Sequence, residues 1–289
     1  MSLTFHQADL TVHRLVELDA PFLLASEMLP DLTPQLLDEN RHWLQPHSLN
    51  HEDRFNLCYQ SYVVRTPHHV ILVDSCLGND KDRPRPEWHM RTGDGYIRAL
   101  AAAGLTVDDV DFVMCTHLHG DHVGWNTRLL DGRWVPTFPN ARYVFAEREF
   151  SATRDGHAAK HNEAYVDSVL PVVEAGMADI VADDFAIGDH VRILPTPGHT
   201  AGHIALCFGK GRDDVVMTGD LIHVPIQMRY PEMSFVRDLD PALAAITRRA
   251  FFERYCDTQT LCCTAHFPSP SVGHVRRWGD GFRLDADNL

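Results

Sequence analysis

The stretch that decides the fold is Thr116-His117-Leu118-His119-Gly120-Asp121-His122. It places three imidazoles and a carboxylate close together, directly after an apolar run over 113–115 that is typical of a buried strand. Where such a strand opens into a loop, His117 and His119 can converge on one ion. After the turn at Gly120, Asp121 and His122 can face a second ion. The pattern therefore predicts a metal site, because imidazole and carboxylate groups are common metal ligands.

Further ligand types recur downstream, each after a segment typical of a strand. They are His199 in TPGHTAGH, Asp220 in VVMTGD and His266 in LCCTAHFPSP. In a chain with 19 histidines, chance explains one such group easily but all of them poorly. Together they resemble the metallo-β-lactamase-fold hydrolases, whose HxHxDH signature is followed by a His, an Asp and a His.

The resemblance spans roughly residues 55–275 and implies a fold. That fold is an α/β, four-layer αββα sandwich in which two mixed sheets are flanked by helices. We expect a single metallo-β-lactamase-fold domain over residues 1–289, with residues 1–52 as an extension, a lid or an association segment.

The resemblance also implies a dinuclear metal centre. Zinc suits the N and O ligands best, with iron, manganese or cobalt as alternatives. A water shared by two such ions loses a proton near neutral pH and becomes the hydroxide that attacks the substrate. The implied ligands are His117, His119 and His199 for one ion, Asp121, His122 and His266 for the other, and Asp220 as the bridge. Asp121 is also a predicted catalytic residue, because its counterpart in the family exchanges protons with the leaving group.

Asp220 narrows the class of enzyme. The β-lactamases of the superfamily replace this bridging carboxylate with Cys or Ser, and its diiron flavoproteins carry Glu at the position of His119. Acyl-homoserine lactonases have Tyr three residues after the bridging Asp, where this chain has His223. The run over 219–224 with Gln227 is more similar to the methyl parathion hydrolase branch. We therefore predict a hydrolase of a small ester, lactone or phosphotriester.

Several alternatives stay open. A glyoxalase II-like thioester hydrolase shares the whole ligand set, and a non-catalytic metal-binding protein of the same fold would keep it too. His223, the second predicted catalytic residue, either assists the reaction or only forms a supporting hydrogen bond. Asp74 either fixes the tautomer of an imidazole in the metal loop, as its counterpart does in the family, or is a surface turn residue. His203 is predicted to pack or to support the site.

The composition is that of an ordinary folded globular protein. The formal net charge is −14 and the basic residues are scattered, which argues against a nucleic-acid partner. The 7 cysteines show no CxxC and are expected to be reduced thiols. Neither a signal peptide nor an apolar stretch of the ~20 residues that span a bilayer is recognisable. We expect a cytoplasmic protein with no membrane partner, and the family suggests a homodimer.

Capping signals predict two helices. Thr33 precedes a proline and a helix over 34–43, and Asp240 precedes a proline and an amphipathic helix over 241–256. In both cases the proline occupies the first helical position, where its missing N–H costs nothing.

Two further segments have a predicted secondary structure. Residues 147–175 are expected to be largely helical, with breaks near Gly156 and Pro171. Residues 55–64 and 69–73 are expected to pair as a hairpin, because a Pro-containing turn separates two strand-like runs.

Overall fold

A computed structural model describes residues 3–286 of the chain. The chain divides into two compact units, which we call unit 1 (Met1–Glu17 and Tyr59–Phe185) and unit 2 (Leu18–Cys58 and Ala186–Leu289). The predicted mixture of helices and two large sheets is present. The single domain over residues 1–289 stays a prediction.

The described residues form sixteen strands. In chain order they are β1 (Thr4–Gln7), β2 (Leu10–Leu24), β3 (Arg54–Arg65), β4 (Val70–Val73), β5 (Phe112–Met114), β6 (Thr127–Leu130), β7 (Arg133–Pro136), β8 (Arg142–Ala146), β9 (Ala178–Val181), β10 (Ala186–Ile187), β11 (Val191–Pro195), β12 (Ile204–Phe208), β13 (Val215–Met217), β14 (Leu261–Cys263), β15 (Val272–Trp278) and β16 (Gly281–Asp285).

The helices are mostly short. They are α1 (Ala25–Met28), α2 (Pro34–Leu44), α3 (Gly95–Ala102), α4 (Gly120–Val123), α5 (Glu147–Ala159), α6 (Leu170–Glu174), α7 (Ile226–Arg229) and α8 (Pro241–Tyr255). Single 3-10 turns cover Val107–Asp109, Gly124–Asn126 and Gly219–Leu221, and a π-helical turn covers Tyr165–Val169.

Unit 1 is built on a sheet in the order β1-β2-β3-β4-β5-β8-β9. Strands β3 and β4 form the predicted antiparallel hairpin. Strands β4 and β5 are parallel, with Val73 opposite Met114, so their carboxyl ends lie side by side. The apolar core of this unit includes Leu72, Tyr96, Val113, Phe138, Tyr143 and Phe145.

Unit 2 is built on a sheet in the order β10-β11-β12-β13-β14-β15-β16. Strands β13 and β14 are its parallel pair, with Met217 opposite Cys263, and the other neighbours are antiparallel. Here too, two adjacent carboxyl ends open into loops at one edge of the sheet. The apolar core includes Val216, Met228, Phe251, Phe252, Phe267 and Phe282.

Both predicted helix caps are confirmed. Thr33 Oγ1 accepts a hydrogen bond from Leu36 N (3.2 Å), and Asp240 Oδ1 accepts one from Leu243 N (3.0 Å). The prediction that α8 is amphipathic is wrong. Arg248 of this helix is fully buried, whereas Ile246 is 67% exposed. The buried arginine is tolerated because polar partners surround it, as described below.

The helix breaks predicted within 147–175 are wrongly placed. Gly156 lies inside α5, where an exposed glycine weakens a helix without ending it. The helix ends at Ala159, and Asn162 Oδ1 accepts a hydrogen bond from Tyr165 N (3.3 Å) before the π-helical turn begins. Pro171 lies in the first turn of α6, where no intrahelical N–H bond is required.

Over residues 3–286, no helix has the length and the apolar character that crossing a membrane requires. Six of the seven cysteines are buried, and Cys256 is partly exposed.

Candidate metal centre

The histidine motif of unit 1 follows the carboxyl end of β5 and runs into α4. His117 Nε2 lies 3.0 Å from His119 Nδ1, and His122 Nε2 lies 3.8 Å from Asp121 Oδ2. The rings of His117 and His122 are 4.1 Å apart between centroids. The predicted ligands of this unit therefore form one cluster.

Asp74 orients this cluster from the end of the neighbouring strand. Its backbone has a left-handed φ of 55° directly after β4, which turns the buried carboxylate toward the metal loop. Oδ1 accepts from Thr116 N (2.7 Å), and Oδ2 accepts from Thr116 Oγ1 (2.9 Å) and His122 Nδ1 (2.9 Å). The predicted contact between Asp74 and an imidazole is confirmed.

These bonds decide which nitrogen of each ring can bind a metal. A carboxylate only accepts, so His122 carries its proton on Nδ1 and keeps the lone pair on Nε2. Because Thr116 Oγ1 donates to Asp74, its lone pair is left to accept from His117 Nδ1 (3.1 Å). Asp74 thus fixes His122 directly and His117 through Thr116.

A close backbone contact holds the Asp74 loop. Gly124 N donates to Cys76 O (2.8 Å), and a Cβ at Gly124 would lie 1.9 Å from Leu77 O, so only glycine fits. The buried Glu17 carboxylate accepts from Leu77 N (2.7 Å) and Trp125 Nε1 (2.9 Å) on either side of this contact.

In unit 2 the predicted ligands come from separate loops and meet around Asp220. Asp220 follows β13, and His266 follows the parallel neighbour β14. The Asp220 carboxylate lies 2.9 Å from His266 Nε2, 3.2 Å from His223 Nε2 and 3.3 Å from His199 Nε2. One buried carboxylate therefore faces three buried imidazoles.

Partners on Nδ1 orient two of these rings. His266 donates Nδ1–H to Cys58 O (3.1 Å), and His199 donates Nδ1–H to Asp238 Oδ1 (3.0 Å). Burial lowers the pKa of His199, but the hydrogen bonds to Asp220 and Asp238 outweigh it and raise that pKa to about 9. Both rings therefore present Nε2 toward Asp220, the arrangement that metal-binding histidines usually show.

His223 and His203 support Asp220. Burial lowers the pKa of His223 to about 4, so its ring is neutral at pH 7 and can donate Nε2–H to Asp220. Phe235 stacks on that ring at 3.8 Å between centroids. His203 Nε2 accepts from Asp220 N (2.9 Å), and its Nδ1 lies 2.8 Å from Thr196 Oγ1. The supporting role predicted for His203 is thus confirmed.

The donor sets fit divalent transition metals. The ligand atoms of His117 and His119 lie within 4.8 Å of each other, and so do those of Asp121 and His122. The same limit holds for His199 and Asp220. Imidazole nitrogens with fixed tautomers and carboxylate oxygens are ligands that zinc and similar ions accept.

Sequence reasoning missed two residues of unit 2. Asp238, on the Nδ1 of His199, precedes the helix cap Asp240 by two positions, and the sequence carries no signal that separates their roles. Arg248, which contacts Asp238, adjoins the exposed Arg249 in an Arg-Arg pair. Only the contacts of the folded chain identify either residue.

Comparison with known families places the chain. It matches the metallo-β-lactamase superfamily over residues 59–266, most of its length, and therefore belongs to that superfamily.

Among curated relatives, the N-acyl homoserine lactonase AiiA of Bacillus thuringiensis subsp. kurstaki is 29% identical over 165 residues, which are 52% of this chain and 58% of that protein. The metallo-beta-lactamase domain-containing protein 1 of Xenopus laevis is 31% identical over 130 residues, 44% of each chain. The matches thus span little more than half the length of the lactonases.

Solved structures agree on the fold. The hydrolase AbOPH of the β-lactamase superfamily has a TM-score of 0.80 at 21% identity, with 98% of this chain and 96% of that chain covered. The dizinc quorum-quenching lactonase AidC has a TM-score of 0.76 at 20% identity, with 100% and 98% covered. The predicted metallo-β-lactamase fold, an α/β sandwich, and the predicted resemblance to lactonase and related hydrolase branches are confirmed.

Proposed function

We propose that the chain is a metal-dependent hydrolase that opens a small ester, lactone or phosphotriester. The observation that carries the proposal is the surroundings of Asp220, where three buried imidazoles approach one carboxylate next to two parallel strand ends. Membership of the superfamily supports it, as does similarity to proteins described as lactonases.

Two divalent ions complete the proposed site. Zinc is favoured by the N and O ligands and by the dizinc description of AidC, and iron, manganese and cobalt are the alternatives. The proposed ligands are those of the sequence prediction: His117, His119 and His199 for one ion, Asp121, His122 and His266 for the other, and Asp220 for both.

The reaction divides between the ions and the protein. When bound, two divalent ions lower the pKa of a shared water and polarise the carbonyl or phosphoryl oxygen of the substrate. Asp121 is the proposed catalytic residue for proton transfer to the leaving oxygen. Its side chain is 11% exposed, whereas that of Asp74, the other carboxylate of this cluster, is 5% exposed, so Asp121 is the more accessible of the two.

His223 is the second proposed catalytic residue. Its neutral ring donates to Asp220 and stacks on Phe235, and the backbone N–H of His223 donates to Gln227 Oε1 (3.0 Å). A His223→Phe variant separates the two roles considered for it. Lower kcat with unchanged metal content indicates a part in the reaction, whereas loss of metal indicates support of Asp220 alone.

A substrate panel tests the proposed activity. The zinc-loaded protein is assayed with a lactone, an aryl ester, a phosphotriester and a glutathione thioester, with an Asp220→Asn variant as the control. We expect turnover of at least one of the first three, and loss of it in the control. Turnover of the thioester alone would favour the glyoxalase II-like alternative. No turnover by a protein that holds zinc would favour a non-catalytic metal-binding role.

The remaining expectations concern the location, the partners and the oligomeric state of the protein. We propose a cytoplasmic protein that takes a small-molecule substrate and no nucleic acid, and that forms a homodimer. Sedimentation equilibrium measures the last of these directly.

A further inference from the structure

Arg248 is a fully buried cation in the middle of α8 with four acceptors around it. Nε donates to Leu221 O (2.7 Å), and Nη1 donates to Pro231 O (2.8 Å) and Met233 O (2.7 Å). Nη2 approaches Asp238 Oδ2 at 3.4 Å. A buried charge of this kind persists only when it is paired and hydrogen-bonded, and Arg248 satisfies both conditions.

All four acceptors lie on the segment 221–238, which connects Asp220 to α8. The same segment carries His223, whose ring bonds to Asp220, and Phe235, whose ring stacks on His223 at 3.8 Å and on His199 at 5.8 Å. One arginine therefore anchors this segment at its beginning, its middle and its end.

The fourth acceptor links Arg248 to a predicted metal ligand. Asp238 Oδ1 accepts from His199 Nδ1 (3.0 Å), while Oδ2 accepts from Phe235 N (2.9 Å) and faces the guanidinium. The side chains of Asp238 and Arg248 are 0% and 1% exposed. Because water cannot replace either partner, the orientation of the His199 ring depends on this pair.

We propose that Arg248 is a positioning residue for the metal centre: through Asp238 it aligns His199, and through three backbone carbonyls it fixes the segment that carries His223. The proposal rests on the proposed function. It assigns part of the metal affinity to a side chain that is itself no ligand.

The geometry requires arginine rather than lysine. The planar guanidinium donates in several fixed directions at once, whereas an ammonium group on a flexible stem reaches fewer of these acceptors. Methionine fills similar volume but removes the side-chain donor of Leu221 O and Pro231 O, and it leaves Met233 O and Asp238 Oδ2 with one donor fewer.

The experiment compares Arg248→Lys, Arg248→Met and Asp238→Asn with Arg249→Met. Arg249 is the matched control, because it is the next residue of the same helix and its side chain is 45% exposed in a surface pair with Glu232. Zinc affinity is measured by competition with a chromophoric chelator. Supporting hydrogen bonds of metal ligands typically contribute about 10–100-fold in affinity. We expect a loss of that order in Arg248→Met and Asp238→Asn, a smaller loss in Arg248→Lys, and no change in Arg249→Met.

A second readout needs neither metal nor substrate. In the zinc-free protein, the Nδ1 proton of His199 is followed by NMR, with His199→Gln to assign the signal. We expect this proton to be protected from exchange in the wild type and to exchange faster in Asp238→Asn. This variant keeps the bonds from Arg248 to the three backbone carbonyls, so it still tests the proposal if Arg248→Met does not fold.

The outcomes separate this proposal from the proposed function. Wild-type zinc affinity in folded Arg248→Met and Asp238→Asn, or an unchanged His199 signal in Asp238→Asn, would overturn the positioning role. If the wild type binds no zinc, the proposed function fails, and the His199 signal still decides whether the Arg248–Asp238 pair aligns that ring.

Discussion

The two units place their predicted ligands in the same way but support them differently. In each unit a parallel strand pair opens at its carboxyl ends into the loops of the site: β4 and β5 in unit 1, and β13 and β14 in unit 2. In both units, a buried aspartate accepts a hydrogen bond from a histidine Nδ1. That aspartate is Asp74 in unit 1 and Asp238 in unit 2.

The two units differ in where the residues that support the ligands lie along the chain. In unit 1 the ligands form one run, and Asp74 at the next strand end reaches two of their rings, one of them through Thr116. In unit 2 the ligands come from three loops, and Asp238 needs Arg248 from a helix to hold it. The compact motif of unit 1 is therefore supported by Asp74 at a neighbouring strand end, whereas the separate ligand loops of unit 2 are supported by the buried Asp238–Arg248 pair.

The largest expected effect follows from the substitution Asp220→Ala. It removes the one carboxylate that three imidazoles of unit 2 face, and unlike any single residue of unit 1 it is proposed to contact both ions. We expect zinc content, measured by plasma mass spectrometry, to fall to background and turnover to be lost. Full retention of both would contradict the proposed bridging role. Asp214→Ala, directly before β13 in the connection from β12, serves as a control for the loss of a buried aspartate.

The next largest effect is on stability and concerns two glycines that allow close backbone contact, one in each unit. A Cβ at Gly124 would lie 1.9 Å from Leu77 O, and one at Gly198, with φ +135°, would lie 2.4 Å from Ala244 N. We expect Gly124→Ala and Gly198→Ala each to lower the free energy of unfolding by about 1–3 kcal/mol or more, as overpacking does. Urea denaturation measures it.

Gly156→Ala is the matched control for these glycines. Nothing lies within 4 Å of the added methyl group, and the residue is inside α5. We expect stabilisation by about 0.5–1 kcal/mol, because alanine loses less backbone entropy than glycine in a helix. A loss of stability in Gly156→Ala equal to that in the other two variants would show that the contacts are not the cause.

A smaller effect is the difference in metal affinity between variants of the two supporting aspartates, Asp74 and Asp238. Asp74→Asn disturbs two rings directly or through Thr116, whereas Asp238→Asn disturbs one. Within the range of about 10–100-fold in metal affinity that such partners contribute, we expect the larger loss in Asp74→Asn. Chelator competition on both variants decides the order. A larger loss of metal affinity in Asp238→Asn would mean that the support in unit 2 contributes more to metal binding.

The smallest effect concerns buried charge. Unit 1 buries Lys81 and Arg83 against the single carboxylate of Asp167, whereas Arg248 and Asp238 balance in unit 2. Burial lowers the pKa of Lys81 to about 7, although Asp167 opposes the shift. An unfolded lysine titrates near 10.4, so above pH 7 the unfolded chain holds a proton that the folded chain releases, and stability rises with pH.

Lys81→Met tests this sign. Between pH 7 and 8 the unfolding free energy of the wild type should rise by at most about 1.4 kcal/mol relative to the variant. Parallel pH profiles for the two proteins would show that Lys81 stays charged in the fold, paired with Asp167 and placed over the Trp134 ring at 3.6 Å.

The sequence predicted the residues that lie in short motifs or after strands, and it missed the buried charged residues that support them. The histidine motif and the capped starts of α2 and α8 were readable because each is a short pattern, and the contact between Asp74 and an imidazole was one of two alternatives considered through the family resemblance. Asp238 and Arg248 were not readable, because a charged residue in a polar loop or on a helix normally faces solvent. Its burial depends on carbonyls that only the folded segment 221–238 supplies.

The central proposal is that the seven predicted ligands hold two metal ions. Equilibrium dialysis against zinc, followed by metal analysis of the wild type, His117→Ala and His266→Ala, tests it most directly. We predict two zinc ions per chain in the wild type and at most one in each variant, since either unit alone supplies an incomplete set. At most one ion in the wild type, with both variants fully active, would contradict the account.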